Sequence, residues 1–554
     1  MKILTAEEMG AADRRSVEAH VPVVRLMGAA GEAVARFCLR HYPGEGLVVV
    51  LAGKGNNGGD GIVAARKLAG AGRTVRVVLL GAASDLKGEA AAAWASCQHP
   101  SQSRDAGHPA SRELKLREIV DEQELLAALT GATLVIDAVV GTGFKPPLRG
   151  LASAAQKILA TSKVPVVAVD LPSGWDADST EQTVEGAFRA DAVITFVAPK
   201  LAHAFGALTA GDTFGPVVVA SIGTPHDAIQ SSTRLRWSGS AKAIAEAPRA
   251  INGNKGRLGH VLLVGGAFGK AGAPSMASLA AMRTGAGLVT AAVPREILSI
   301  VAGVAPELML TPLSTEGDGG LALEQLEEAS LKKLLKGITV VGIGPGLGQD
   351  GTTPEFVRSF IERVMLPMVI DADALNAIAG QTSFLSKLTR NGKRTIVLTP
   401  HPGEMARLVN MTVKEVEADR VGLARKFATE HGVTLVLKGW RTLIAHPDGS
   451  IAVNTTGNPS MAKGGSGDIL TGIVSAMLAQ YGDEAKSGDV AKAVEAAVFL
   501  HGLAGDFACL AQDEHTVLAT DTVNHLWQAF RARVADDDGF TWISGTARAG
   551  LAVK

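Results

Sequence analysis

Short, uninterrupted runs of β-branched and aliphatic residues recur along this chain, separated by helical patterns, and they do so in two series. The first reads GLVVVLAG, VRVVLL, TLVIDAVV, VPVVAVD, DAVITFVA and GPVVVASIG; the second reads HVLLVGG, LVTAAVP, ITVVGIGPG, PMVIDADA, RTIVLTP and VTLVLKG. A strand that is apolar on both faces must be covered on both, and a parallel sheet flanked by crossover helices does this. The pattern predicts two α/β domains, each a three-layer αβα unit. A length of 554 residues agrees, because it exceeds what one core ordinarily organises. Between the series, residues 224–260 lose periodicity and collect small and polar side chains, so the expected domains are 1–228 and 229–554.

Charge narrows the partners. Lys plus Arg number 54 against 55 Asp plus Glu, with no long single-sign block, so neither a nucleic-acid footprint nor an acidic tail is expected. The start, MKILTAEEMGAADRR, has no apolar h-region and carries a helix-starting capping box, Thr5 with Glu8. No later run reaches the roughly 18 consecutive apolar residues of a membrane span. Cys38, Cys97 and Cys509 lie far apart without metal-site spacing, which predicts buried thiols in a reducing cytoplasm. Two stretches lack a period. Residues 94–115 read as an exposed insertion with His99 and His108 as solvated loop residues, and 536–554 read as a partly ordered tail.

Chemistry concentrates where apolar runs end. Gly53, Gly55 and Gly58 fit a dinucleotide fingerprint, but the acidic ribose partner expected about 20 residues on falls in the apolar VRVVLL, which disfavours a hydride-transfer site. What distinguishes the loop is NNGGDG: Gly58, Gly59 and Gly61 admit a phosphate at a helix start, and Asn56, Asn57 and Asp60 add oxygens. A tight turn explains the glycines alone. DAVVGTGFKPP (137–147) and DLPSGWDAD (170–178) also follow strands, and in an open parallel sheet such strand ends share one crevice. Asn57, Asp137 and Ser173 then make an oxygen cluster suited to a hard cation.

NNGGDG, DAVVGTGF and DLPSGWDAD, in this order after the N-terminal segment, resemble the NAD(P)HX epimerase family over residues 1–225. The resemblance implies a Rossmann-like domain and potassium held by Asn57, Asp137 and Ser173. It also implies a hydrated dinucleotide on Asn56, Asn57, Gly58, Gly59 and Asp60, on Gly141, Thr142, Gly143, Phe144, Lys145, Pro146 and Pro147, and on Asp170. The reaction inverts C6 of the damaged nicotinamide ring, with Asp170 as acid/base candidate. Gly28, in LMGAAG, stands where the family carries a polar residue.

In the second series MAKGGSGDILTGIVSAML (461–478) sets Gly464, Gly465 and Gly467 before Asp468 and a helix. Free N–H groups there can hold the charge on a transferred phosphoryl group, and Asp468 can take a proton from an attacking hydroxyl. A glycine-led cap is the plain alternative, but GPGLG, TPHPGEM, LKGWRT and GAPSMASLAAMRTGAGLV also fall at strand ends or helix starts. GGAFGKA is one residue short of a Walker loop. These motifs together resemble the nucleotide-dependent NAD(P)HX dehydratase family over about 235–530, which implies a ribokinase-like domain. By that resemblance Ala273, Gly346, His401 and Asp468 contact the hydrated dinucleotide. Lys438, Gly439, Trp440, Arg441, Thr442 and Gly467 hold ADP or ATP, with Mg²⁺ screening the phosphates. ADP is the expected donor and a homo-oligomer the expected assembly. Phosphorylating the C6 hydroxyl and eliminating phosphate regenerates NAD(P)H from NADHX or NADPHX, and an epimerase on the same chain supplies the S form. The alternative is a small-molecule kinase joined to a non-catalytic interaction module.

Overall fold

The computed structural model describes residues 1–98, 114–209, 215–389, 394–483 and 488–545. It divides into two compact units: Met1–Leu235 together with the chain from Arg533 onward, and Arg236–Ala532. The division thus falls seven residues beyond position 228, and the end of the chain returns to the first unit.

In the first unit the strands are β1 (Leu47–Ala52), β2 (Val75–Leu80), β3 (Leu114–Ile119), β4 (Ala132–Ala138), β5 (Val166–Val169), β6 (Ala192–Phe196) and β7 (Val217–Ala220). They run parallel in the order β7-β6-β5-β4-β1-β2-β3. Alternate β1 residues serve opposite cores. Val48, Val50 and Ala52 pack with the helices Val23–His41 and Asn56–Gly70, whereas Val49 and Leu51 pack with Glu122–Leu129 and Gly150–Ala160. Both faces are covered, as continuous apolar runs require. The capping box is present: Thr5 Oγ1 accepts from Glu8 N–H, and Glu8 Oε2 accepts from Thr5 N–H.

Of the expected 536–554 tail, 546–554 lies outside the described residues, and part of the rest is a strand, Phe540–Ser544, which adds antiparallel to β7. Its Phe540 and Trp542 are buried, and both pack on Phe37. The expected 94–115 insertion is narrower than it reads. Residues 94–98 end the helix Gly88–Gln98 and 114–115 open β3, while the rest, with His99 and His108, lies outside the described residues.

The second unit holds β8 (Leu235–Trp237), β9 (His260–Val264), β10 (Leu288–Pro294), β11 (Met309–Leu313), β12 (Val340–Ile343), β13 (Met368–Ile370), β14 (Ile396–Leu398), β15 (Thr434–Leu437), β16 (Leu443–Ala445) and β17 (Ile451–Val453). Their order is β11-β10-β9-β12-β13-β14-β15-β16-β17-β8. From β11 to β15 neighbours are parallel, and β15, β16 and β17 form an antiparallel meander. The helix Ser466–Tyr481 lies so close to Gly272–Thr284 that a Cβ on Gly472 would stand 2.0 Å from the Ala277 carbonyl oxygen. The helix Val490–Ala511 is, by length and a hydropathy of 1.4, apolar enough to cross a membrane, but 83% of that apolar window is buried, as suits a core helix.

Candidate functional sites

Each sheet reverses its strand order beside one strand, and in open α/β sheets the crevice at that reversal receives the ligand. In the first unit it lies between β1 and β4. The loops that leave these strands hold NNGGDG and GTGF. Here the glycines have a steric reason: a Cβ on Gly53 would stand 1.9 Å from the Val139 carbonyl oxygen, and one on Gly58 1.9 Å from that of Gly53. Without them the helix Asn56–Gly70 could not start so close to β4.

Beside this crevice lies a cavity of about 1170 Å³. Asn56, Asn57, Asp60, Gly141, Thr142, Gly143, Phe144 and Asp170 line it, as the resemblance implies. Gly58, Gly59, Lys145, Pro146 and Pro147 do not. Gly58 and Gly59 are buried within the helix, and Lys145 Nζ instead bonds Asp176 and Asp178 at 2.7 and 3.2 Å.

Asp170 follows β5 with φ +66°, a left-handed conformation costly for a residue with a Cβ. The residues around it fix that geometry. Oδ1 accepts from Lys200 Nζ and Thr195 Oγ1, each at 2.9 Å; Oδ2 accepts from the Thr142 N–H at 2.9 Å and from the Thr142 hydroxyl. His203 Nδ1 accepts from the Lys200 N–H at 3.0 Å, so its Nε2–H donates to the Asp170 carbonyl at 2.7 Å. Burial alone would raise the Asp170 pKa, but the Lys200 ammonium and these donors hold it below the usual carboxylate range. Asp60, in the same cavity, goes the other way: burial, then the charges of Asp170 and Asp13, push it well above that range. Burial and the Lys200 charge bring His203 down to about 4.

Asp137, Ser173 and Asn57 form the expected oxygen cluster only in part. Asp137 accepts from Ser173 Oγ at 2.6 Å and from the Ser173 N–H at 2.7 Å. Burial pushes Asp137 up to about 6 against those bonds. Asn57 stands beside Gly141, and its amide Nδ2 is buried with no hydrogen-bond partner among the described residues.

In the second unit the reversal lies between β9 and β12. The loops that follow them touch: the Gly266 N–H donates to the Pro345 carbonyl at 2.8 Å. Gly346, at φ +68°, would bring a Cβ to 3.0 Å from Ala273 Cβ, so two of the expected dinucleotide contacts are neighbours.

Further along the same strand ends a charged cluster surrounds Asp468. Asp371, which follows β13, accepts from Lys438 Nζ at 3.0 Å and from Thr471 Oγ1 at 2.6 Å. Glu404 stands 3.7 Å from the same ammonium. Gly467 is a neighbour too, since a Cβ there would be 3.3 Å from Lys438 Nζ. Gly465, at φ +98°, turns the chain into the helix whose first turn carries Asp468. Burial and the charge of Asp371, opposed by Lys438, bring Asp468 up to about 6.

The LKGWRT loop is fixed from outside. Arg420 donates to the carbonyls of Leu437, Lys438 and Trp440, and Arg441, at φ +53°, lies 4.4 Å over the Trp440 ring and donates to the Thr455 carbonyl at 2.6 Å. Thr442 Oγ1 donates to the Gly439 carbonyl at 3.3 Å. His401 is foremost a helix cap: its Nδ1 accepts from the N–H groups of Gly403 and Glu404, at 3.0 and 3.4 Å, and Nε2 stands 3.4 Å from Glu404.

The motif reading passed over Lys200, His203, Asp371, Glu404 and Thr471. Asp371 had the signal that exposed Asp137 and Asp170, an aspartate at the end of an apolar run, in PMVIDADA. Lys200 had none, because only the fold brings FVAPK back to β5.

Comparison with known proteins agrees with both halves. Residues 261–528 match the NAD(P)H-hydrate dehydratase family, and residues 23–202 match the family described as YjeF-related protein N-terminus. The bifunctional NAD(P)H-hydrate repair enzyme of Moorella thermoacetica is 39% identical over 95% of this chain and 96% of its own. The Escherichia coli enzyme of that name is 35% identical over 92% and 90%. A Bacillus subtilis ADP/ATP-dependent NAD(P)H-hydrate dehydratase, crystallised with ATP and Mg²⁺, is 29% identical over 53% of this chain and 96% of its own, with a TM-score of 0.43. With both sites on one chain and relatives matched nearly end to end, this protein belongs to the family of bifunctional NAD(P)H-hydrate repair enzymes.

Proposed function

We propose that the first unit interconverts R- and S-NAD(P)HX and that the second dehydrates the S form at the expense of a nucleotide, ADP being the donor that yields AMP and phosphate. The observation that carries the first activity is the pair of oppositely tuned carboxylates in one cavity, Asp60 high and Asp170 low. C6 of the hydrated ring bears both a hydroxyl and the ring nitrogen. Asp60, whose burial favours its protonated form, gives a proton to the departing hydroxyl, the C6–O bond breaks, and the nitrogen lone pair forms a C6=N⁺ bond. Ionised Asp170, fixed by Lys200, stabilises that cation. Water adding to the opposite face restores the alcohol as it releases a proton to solvent, and Asp60 regains its proton from solvent.

Potassium fits the first cavity. Asp137 and Ser173 offer hard oxygens, Asp137 is buried, and the Asn57 side-chain oxygen lies beside Gly141 in the loop that follows Asp137. When bound, it supplies positive charge for the dinucleotide phosphates. Replacing potassium by lithium is expected to slow epimerisation at least tenfold without changing the dehydration of pure S-NADHX; equal rates in both salts would remove potassium from the reading.

In the second unit Asp468 takes the proton of the C6 hydroxyl as the phosphoryl group arrives, Lys438 and the helix N-terminus hold the phosphates, and elimination then breaks the C6–O and C5–H bonds, forming the C5=C6 double bond and releasing phosphate and a proton to solvent. Mg²⁺ fits as a passenger on the nucleotide: among the described residues no three His, Cys, Asp or Glu side chains are grouped to hold a metal, and Mg²⁺ is usually bound through one or two carboxylates and phosphate oxygens. The buried free thiols Cys38, Cys97 and Cys509 support a reducing, cytoplasmic setting. A homo-oligomer is the accompanying proposal, tested by light scattering.

The test supplies mixed R- and S-NADHX with Mg²⁺, potassium and ADP or ATP, and follows recovery of reduced-nicotinamide absorbance. Full recovery with ADP, with AMP as co-product, is expected. A stable phosphorylated product would favour a kinase instead.

A further inference from the structure

The cavity of the first unit reaches well past the groups that face the reacting ring. Asp170 follows β5 and Lys200 follows β6; across the reversal between β1 and β4 the same cavity is lined by Leu80 and Gly81 at the end of β2 and by Ile119 and Val120 at the end of β3. A dinucleotide laid over such a reversal sets its two halves on opposite flanks. With the hydrated ring at Asp170, the adenosine half falls over β2 and β3. That flank suits a purine: Leu80, Ile119, Leu151 and Ala152 pack in one apolar cluster, and Val120 beside them is 73% exposed.

Charge on the same flank tells which dinucleotide it suits. A site for an unphosphorylated ribose carries Asp or Glu at the end of the second strand, where it accepts from the 2′-hydroxyl and repels a 2′-phosphate. This chain has Gly81 there, at φ +138°. A Cβ on Gly81 would stand 2.4 Å from Lys54 Cε, so the Lys54 stem crosses that place and a cation replaces the anion. Lys54 Nζ is paired with Asp85 at 2.5 Å. Arg149 is unpaired. It precedes the helix Gly150–Ala160, whose Leu151 and Ala152 line the same flank; it is exposed, lines the cavity, and makes no hydrogen bond or ion pair among the described residues. The other cations lining the cavity stand on the opposite flank. Lys200 is paired with Asp170, and Arg14 lies on the helix Ala6–Glu18, which is tied there by the Leu4 N–H donating to the Pro199 carbonyl at 2.9 Å.

We infer that this flank seats the adenosine 2′-phosphate, that the Arg149 guanidinium binds it with Lys54 beside it, and that the first unit therefore prefers NADPHX to NADHX. The inference rests on the epimerase reading, which sets the hydrated ring at Asp170. A planar guanidinium holds a phosphate through two parallel N–H bonds, which the ribose hydroxyl of NADHX cannot replace. Arg149 touches no reacting atom and binds the far end of the substrate equally before and during reaction, so its effect belongs in KM.

The test gives the full chain R-NADPHX or R-NADHX with potassium and no nucleotide, so that the second unit is idle, and follows the S form by chromatography above its unaided rate of appearance. The wild type is expected to show a KM for NADPHX about tenfold below that for NADHX, with kcat alike within about twofold. Arg149→Gln is expected to raise the NADPHX KM about tenfold and to leave the NADHX KM within about twofold, and Arg149→Lys to recover part of the loss. Equal KM values in the wild type, or equal losses on both substrates in Arg149→Gln, would each overturn the inference. So would a preference removed by Arg14→Gln and kept in Arg149→Gln, because the dinucleotide would then run the other way. A wild type that epimerises neither substrate would instead remove the underlying reading. The phosphate seat is then decided by titration calorimetry: it stands if the wild type binds 2′-phospho-ADP-ribose about tenfold more tightly than ADP-ribose and Arg149→Gln does not, and falls otherwise.

Discussion

Asp170 and Asp468 show how differently one residue type is used on this chain. Asp170 is ionised by design of its surroundings: Lys200, only 1% exposed, has Asp170 as its ion-pair partner, and Thr142 and Thr195 complete the carboxylate's bonds. Replacing it, as in Asp170→Asn, leaves a buried ammonium without its ion-pair partner. That change is expected to destabilise the first unit by about 3–5 kcal/mol in denaturant unfolding and to abolish epimerisation. Asp468 has its pKa raised, so its basic form is populated only above that value. Dehydratase kcat/KM is therefore expected to fall as pH drops through about 6, while Asp468→Asn loses roughly 10²–10⁴-fold in kcat and flattens that limb of the profile. The aspartates and glycines of both sites were legible because each follows an apolar run. Their environments were not, since Lys200 lies 30 residues from Asp170 and Lys438 lies 67 from Asp371.

Among the elements, strands within continuous apolar runs announced themselves, even three-residue ones such as β13 and β14, and the half-exposed strands and the short meander did not. β11 has two exposed and two half-buried residues among its five, so MLTPL carries neither an apolar run nor a clean alternation. β16 and β17 are three residues each, too short for any period. The C-terminal strand was hidden for another reason: DDDGFTWIS offers few apolar residues, and its burial comes from Phe37, His41 and β7, far away in sequence. Trp542 also donates from Nε1 to Asp536 at 2.8 Å. Trp542→Ala is expected to cost the first unit about 3–5 kcal/mol and to lower its Tm by calorimetry, with dehydration of S-NADHX unchanged. Loss of dehydration together with epimerisation would show that the strand does more than complete one sheet.

For the molecule as a whole, two cores and two sites imply two separable chemistries. In the full chain Asp468→Asn is expected to keep equilibrating R- and S-NADHX, followed chromatographically, while releasing NADH about 10²–10⁴-fold more slowly. The epimerase-dead Asp170→Asn is expected to convert the S share at once and the R share only as fast as it epimerises unaided. Failure of both activities in both variants would refute that separation. The sequence by itself determined the fold class, the order of domains and the loops that carry chemistry, because these follow from local signals: two-sided apolar runs, glycines where backbones must approach, aspartates at strand ends. Only the tertiary structure decided which charges face one another, that His401 caps a helix through Nδ1, and that the strand Phe540–Ser544 extends the first sheet. Those features depend on burial and on pairing between distant segments, which set pKa values and strand edges and leave no periodic trace in the local sequence.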